Sequence, residues 1–148
     1  MREVLCGVEG ISNAMSDPTR WLAVFAIAGV LGVLYGGWAL LTFVSGMPRP
    51  SAAQLRFFRD GHAHAGVLLV LSLVYFRYLP EANFSEALRW LTGLTMLAGV
   101  MAQSGGFFVH MVTAAEEGGA SLGTKLTRLG ALLIGGALVA LAIGLALV

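Results

Sequence analysis

Charge is what this sequence has least of. Asp, Glu, Lys and Arg make up only 11% of its 148 residues, against about 25% in a soluble domain. That shortage excludes a water-covered globular surface. The net charge is only +1, and no basic stripe exists to neutralise phosphates, which excludes nucleic acid as a partner. A single cysteine, Cys6, excludes an intrachain disulfide framework. Only five residues precede it, with no apolar run among them, so neither a signal peptide nor a lipoprotein anchor is expected and the N-terminus is read as mature. Glycine-rich phosphate loops are also missing, because Gly105-Gly106 and Gly118-Gly119 lack a strand–loop–helix context. Nucleophilic catalysis finds no base beside Ser72, Thr95 or Ser104, whose hydroxyls are expected to bond back to their own helices.

Apolar length is what the sequence has instead. Hydrophobic residues make up 57% of the chain and the mean hydropathy is +0.82. Four apolar segments, over about 21–45, 61–79, 86–112 and 122–147, each approach the roughly 20 residues that span a bilayer core. Asp17-Pro18-Thr19 precedes the first, and Pro48 and Pro50 forbid its continuation. Pro80 stops the second, Ser85 caps the third, and Glu116-Glu117-Gly118-Gly119 separates the third from the fourth. The expected fold is all-α: one integral membrane four-helix bundle over 1–148 with antiparallel up-down topology. Val4, Leu5, Val8, Ile11 and Met15 suggest an interfacial segment within 1–17.

Small residues recur every fourth position as Ala28, Gly32 and Gly36, and again as Gly136, Ala140 and Gly144. Such stripes let helices approach closely in lipid and suit a homo-oligomer or a larger membrane complex. Trp21, Trp38, Tyr75, Tyr78 and Trp90 fall near helix ends, as interfacial belts require. Arg49, Arg56, Arg59, Lys125 and Arg128 collect on one side, against Arg2, Arg20, Arg77 and Arg89 on the other. This balance leans towards cytoplasmic loops at 46–60 and 113–123 in a bacterial inner membrane.

The chemistry gathers at one depth. His62 and His64 open the second segment and His110 nears the end of the third, so antiparallel helices bring positions up to 48 apart to the same leaflet. Arg56, Arg59 and Asp60 lead into that level, Gln103 lies seven residues before His110, and Glu116, Lys125 and Arg128 follow. Ionisable groups in membrane segments are costly and usually face a functional interior. Residues two apart on a helix diverge by about 200°, so His62 and His64 cannot both address one ligand unless the first turn is irregular.

Three readings fit these residues. In the first, a b-type heme is held by His64 and His110, with His62 as substitute, Arg56, Arg59 and Arg128 at the propionates, and Gln103 orienting an imidazole. The site then lies between the second and third helices, within reach of the fourth. In the second, His62, His64 and His110 with Asp60 or Glu116 bind a Cu, Zn or Fe ion. In the third, the histidines form a self-satisfied polar network without a cofactor, in an accessory subunit.

The run Gly61-His62-Ala63-His64-Ala65-Gly66-Val67-Leu68-Leu69, followed by Tyr75, Arg77 and Pro80, resembles a segment of small four-helix membrane proteins related to the heme-copper oxidase catalytic subunit. The resemblance covers about 20 residues and implies that His62 or His64 binds heme iron or copper. Ala65-Gly66 stands where those proteins carry a leucine and a polar residue, and their tryptophan after the Leu-rich stretch is missing. Three histidines cannot supply both a bis-histidine heme and a three-histidine copper site, so oxygen or nitric oxide reduction lies outside the reach of one chain. A one-cofactor electron-transfer or redox-accessory protein is the expectation that remains.

Overall fold

A computed structural model describes residues 18–45, 50–113 and 121–148. The expected interfacial segment within 1–17 and the carboxylate of Glu116 lie outside these residues. Four helices account for nearly all of what is described: α1 (Pro18–Ser45), α2 (Ala52–Tyr78), α3 (Glu86–Thr113) and α4 (Leu122–Ala146). Apolar runs of this kind become helices because a helix satisfies every backbone N–H and C=O within its own segment.

α2 begins nine residues before the expected start at 61. Ser51 caps it: its Oγ accepts the Gln54 N–H at 3.2 Å, and Gln54 Oε1 accepts the Ser51 N–H at 3.0 Å. This reciprocal box starts the helix in polar sequence, ahead of the apolar run. Arg56, Arg59 and Asp60 therefore ride on α2 rather than on a lead-in loop. At its other end Leu79 donates to Tyr75 O, and Pro80 prevents another turn.

Three helices, α1, α3 and α4, are long and apolar enough to cross a membrane. α2 is long enough, but His62 and His64 cut into its apolar stretch at one end and Arg77 at the other.

Neighbours run in opposite senses. Along α1, the chain meets Gly93 at Leu22, Leu69 at Gly29 and His62 at Gly36. Between α2 and α3, Gly61 packs on Phe107, and Gln54 Nε2 donates to Met111 O at 3.4 Å. α3 and α4 pair most closely. A methyl group at Gly99 would come within 3.0 Å of Gly130 O, and one at Gly123 within 2.6 Å of Gly106 O. Gly123, Gly130, Ala137 and Gly144 are buried at every seventh position, a spacing that keeps one face towards a partner with a drift of about 20° per repeat. Leu22, Gly29 and Gly36 repeat the device on α1.

Of the four-residue stripes expected from sequence, Gly36 and Gly144 pack within the bundle, on His62 and Phe84. Gly32 and Gly136 have open space where a side chain would be. The buried core is apolar, with Leu22, Tyr75, Leu79 and Met96 among its most enclosed side chains.

Candidate functional site

All three histidines lie at one end of the bundle, because α2 from Gln54 to His64 runs alongside α3 from Met111 to Ser104. Their rings then part. His62 turns to α1, where Gly36 and Gly37 leave room for it: methyl groups there would sit 3.2 Å from Nδ1 and 3.4 Å from Nε2. Its ring lies parallel to Phe58, with centroids 6.2 Å apart. Neither of its nitrogens has a hydrogen-bond partner among the described residues.

His64 is exposed on the other side of α2. Its Nδ1 donates to Asp60 O at 2.8 Å and its ring tilts over Phe107 at 4.7 Å. In the neutral ring that bond leaves Nε2 as a bare acceptor. His110 faces α4: Ser121 Oγ lies 3.1 Å from Nδ1 and 3.2 Å from Nε2, while Thr124 Oγ1 is 3.2 Å from Nε2. Phe57 stacks on the ring at 5.0 Å. Ser121 also accepts the Thr124 N–H, so the cap of α4 and the histidine share one hydroxyl. The structure brings His110 to Ser121 and Thr124, not to His64.

Arg56 lies over the Phe57 ring, and Arg59 and Arg128 are exposed on α2 and α4. Gln103 contributes its carbonyl oxygen to Thr127 Oγ1 at 3.4 Å, and its backbone packs against Gly130. Asp60 offers its backbone oxygen to His64. Among the described residues, no three His, Cys, Asp or Glu side chains assemble as a metal site.

What His62 does face is a cavity of about 380 Å³ between α1, α2 and α3. Gly29, Gly32 and Gly36 form its α1 wall, Ala65 and Leu69 its α2 wall, and Ser104 and Gly105 its α3 wall. Exposed Tyr35 and Met101 stand at its rim, so it opens between α1 and α3. The volume lies within the roughly 300–1,000 Å³ of small-molecule sites, which are apolar with a few placed polar groups.

Ser104 supplies one such group. It is 5% exposed, and its Oγ has no hydrogen-bond partner among the described residues. Ser72 and Thr95 do bond back to their helices, to Leu68 O at 2.8 Å and Leu91 O at 2.7 Å, as the sequence led us to expect. Ser104 departs from that expectation. The α1 side of the cavity was missed in the sequence, although Gly29, Gly32 and Gly36 marked it. Neither a protein-family model, nor a curated protein, nor a solved structure matches this chain.

Proposed function

We propose that this chain is an integral membrane protein that holds a lipophilic cofactor in the cavity facing His62 and serves a redox-accessory role. In this reading all four helices cross the bilayer in antiparallel order. α2 packs lengthwise between α1 and α3, so burying its neighbours in lipid carries α2 in with them. The observation that carries the proposal is one largely apolar cavity that holds the His62 imidazole and the buried Ser104 hydroxyl, the latter without a hydrogen-bond partner among the described residues. Apolar side chains left open on α1, such as Leu31, Leu34 and Leu41, suit contact with lipid or a neighbouring subunit.

The test is co-purification. Full-length protein extracted in mild detergent is expected to carry a lipid-soluble molecule, identified by solvent extraction and mass spectrometry. His62→Ala should lower its occupancy, whereas His110→Ala should not. Equal occupancy in wild type and His62→Ala would sink the assignment.

A b-type heme is the second reading, favoured by His64. A ligating imidazole commonly donates its other N–H to a backbone carbonyl, as His64 does to Asp60 O. Its free Nε2 would hold the iron, and heme would supply one-electron chemistry. His110 would have to give up Ser121 and Thr124 to serve as the second ligand. Reduced-minus-oxidised absorption spectra decide it: sharp α and β bands lost in His64→Ala support heme, and their absence removes it.

A further inference from the structure

Deepening the proposed cofactor reading, we infer that the cavity between α1, α2 and α3 binds a quinone-class head group, a flat neutral ring with carbonyl oxygens on an apolar tail. The argument starts from what the lining holds. Three lining side chains can donate hydrogen bonds: the Tyr35 phenol at the exposed rim and, on the facing helices α3 and α2, the Ser104 hydroxyl and the His62 imidazole. Ser72, Thr92 and Thr95 each return a hydrogen bond to a backbone carbonyl of their own helix. Ser104, nine-tenths buried, returns none. Leaving a buried hydroxyl unpaired is unfavourable, and a ligand oxygen that accepts from it removes that cost.

Ring shape follows from the walls. Gly32 on one side and Gly105 on another have nothing within 4 Å of where a side chain would begin, so a planar group can lie close to either helix, while Leu69 and His62 already cover Gly29 and Gly36. Phe58 and Phe108, in edge contact at 5.6 Å, close the end beside His62. The opening between Tyr35 and Met101 faces the surface that the proposed membrane covers, which gives a tail a route into lipid.

Charge excludes the competitors. No Lys, Arg, Asp or Glu lines the cavity. A heme would bring two propionates and a fatty acid one carboxylate, and none would find a Lys or Arg there. Burying an unpaired carboxylate is far more costly than burying a carbonyl that accepts a hydrogen bond. A neutral ring with two acceptor oxygens matches both the donors and the absence of charge.

The experiment titrates detergent-solubilised full-length protein with decyl-benzoquinone and follows tryptophan quenching. Trp38, whose ring lies 5.6 Å from that of Tyr35 at the rim, is the reporter. Gly32→Leu is the central variant: Gly32 lines the cavity and nothing lies within 4 Å of a β-carbon added there, so the larger side chain has room to enter it. Gel filtration and circular dichroism check that each variant stays folded. Wild type is expected to show a saturable component that Gly32→Leu abolishes. Ser104→Ala should weaken binding by about three- to tenfold, as one lost neutral hydrogen bond does, and Ser104→Thr should restore most of it.

Saturable quenching that persists in Gly32→Leu overturns the site. Failure to bind quinone, while hemin or a fatty acid binds in a manner that Gly32→Leu blocks, overturns the quinone assignment and leaves the cofactor cavity standing. Binding of none of these ligands, with no co-purified molecule, removes both.

Discussion

Gly130 and Gly136 lie six positions apart on α4 and are chemically identical, yet only Gly130 touches a neighbour. A methyl group at Gly130 would come within 2.6 Å of Gly99 O and of Gln103 Cβ, while one at Gly136 would meet nothing within 4 Å. Overpacking a tight contact costs about 1–3 kcal/mol. Gly130→Ala is therefore expected to destabilise the detergent-solubilised protein by that amount, read as a lowered unfolding temperature. Gly136→Ala should be neutral or stabilising, because alanine favours helix by up to about 1 kcal/mol over glycine. Equal losses at both positions would contradict the heptad contact. The histidines divide in the same way. His110→Ala leaves Ser121 and Thr124 without their imidazole and should cost about 1–3 kcal/mol, whereas exposed His64→Ala should leave unfolding almost unchanged. The depth of these residues was legible in the sequence, because helix order and loop length fix it. The direction of each ring was not, because it depends on which neighbouring helix offers bare glycine and which offers hydroxyls.

At the scale of elements, α2 differs most from its reading in sequence. Hydropathy placed its start at the first apolar residues, but the capping box of Ser51 and Gln54 starts it at Ala52. That motif was present in the sequence as Ser-x-x-Gln, and polarity between 52 and 60 hid it, since a helix leaving the membrane no longer needs an apolar face. Ser51→Ala removes the hydroxyl that accepts the Gln54 N–H and should cost about 0.5–2 kcal/mol. Hydrogen exchange is expected to quicken at Gln54 and its neighbours while the apolar half of α2 keeps its protection. Unchanged exchange there would mean that packing of Gln54 on Met111 O, rather than the cap, holds this turn. Pro80 stops α2 where the sequence placed its end, and Ser85, whose Oγ accepts the Leu88 N–H, marks the start of α3. Close pairing of α3 with α4 rests on glycines seven apart, a period masked by the abundance of glycine and alanine around them.

At the scale of the molecule, the open question is whether four helices mean four crossings. Only 6% of the most apolar window of α1 is buried, against 28% in α3 and α4. In water that exposure would be prohibitive, whereas in lipid it costs nothing, since acyl chains are as apolar as the side chains they meet. α2 carries more charged residues than any other helix, with Arg56, Arg59 and Asp60 towards one end and Arg77 near the other. Those charges sit close to the two ends of the helix, where long side chains reach the headgroups. Pairing of Arg77 with Glu81 at 2.6 Å is an exposed contact of that kind. Four crossings require Asn83 to face one side of the membrane and Ser121 the other. The protein's single cysteine makes the test simple. In a Cys6→Ser background, Asn83→Cys and Ser121→Cys are expected to react with an impermeant maleimide from opposite sides of sealed vesicles. Labelling of both from the same side would mean that α3 does not cross, and the antiparallel contacts from Gly99 to Gly130 would then have to form outside the bilayer. In that case the apolar cavity would open to water rather than to lipid, and a lipophilic ligand would have no route into it.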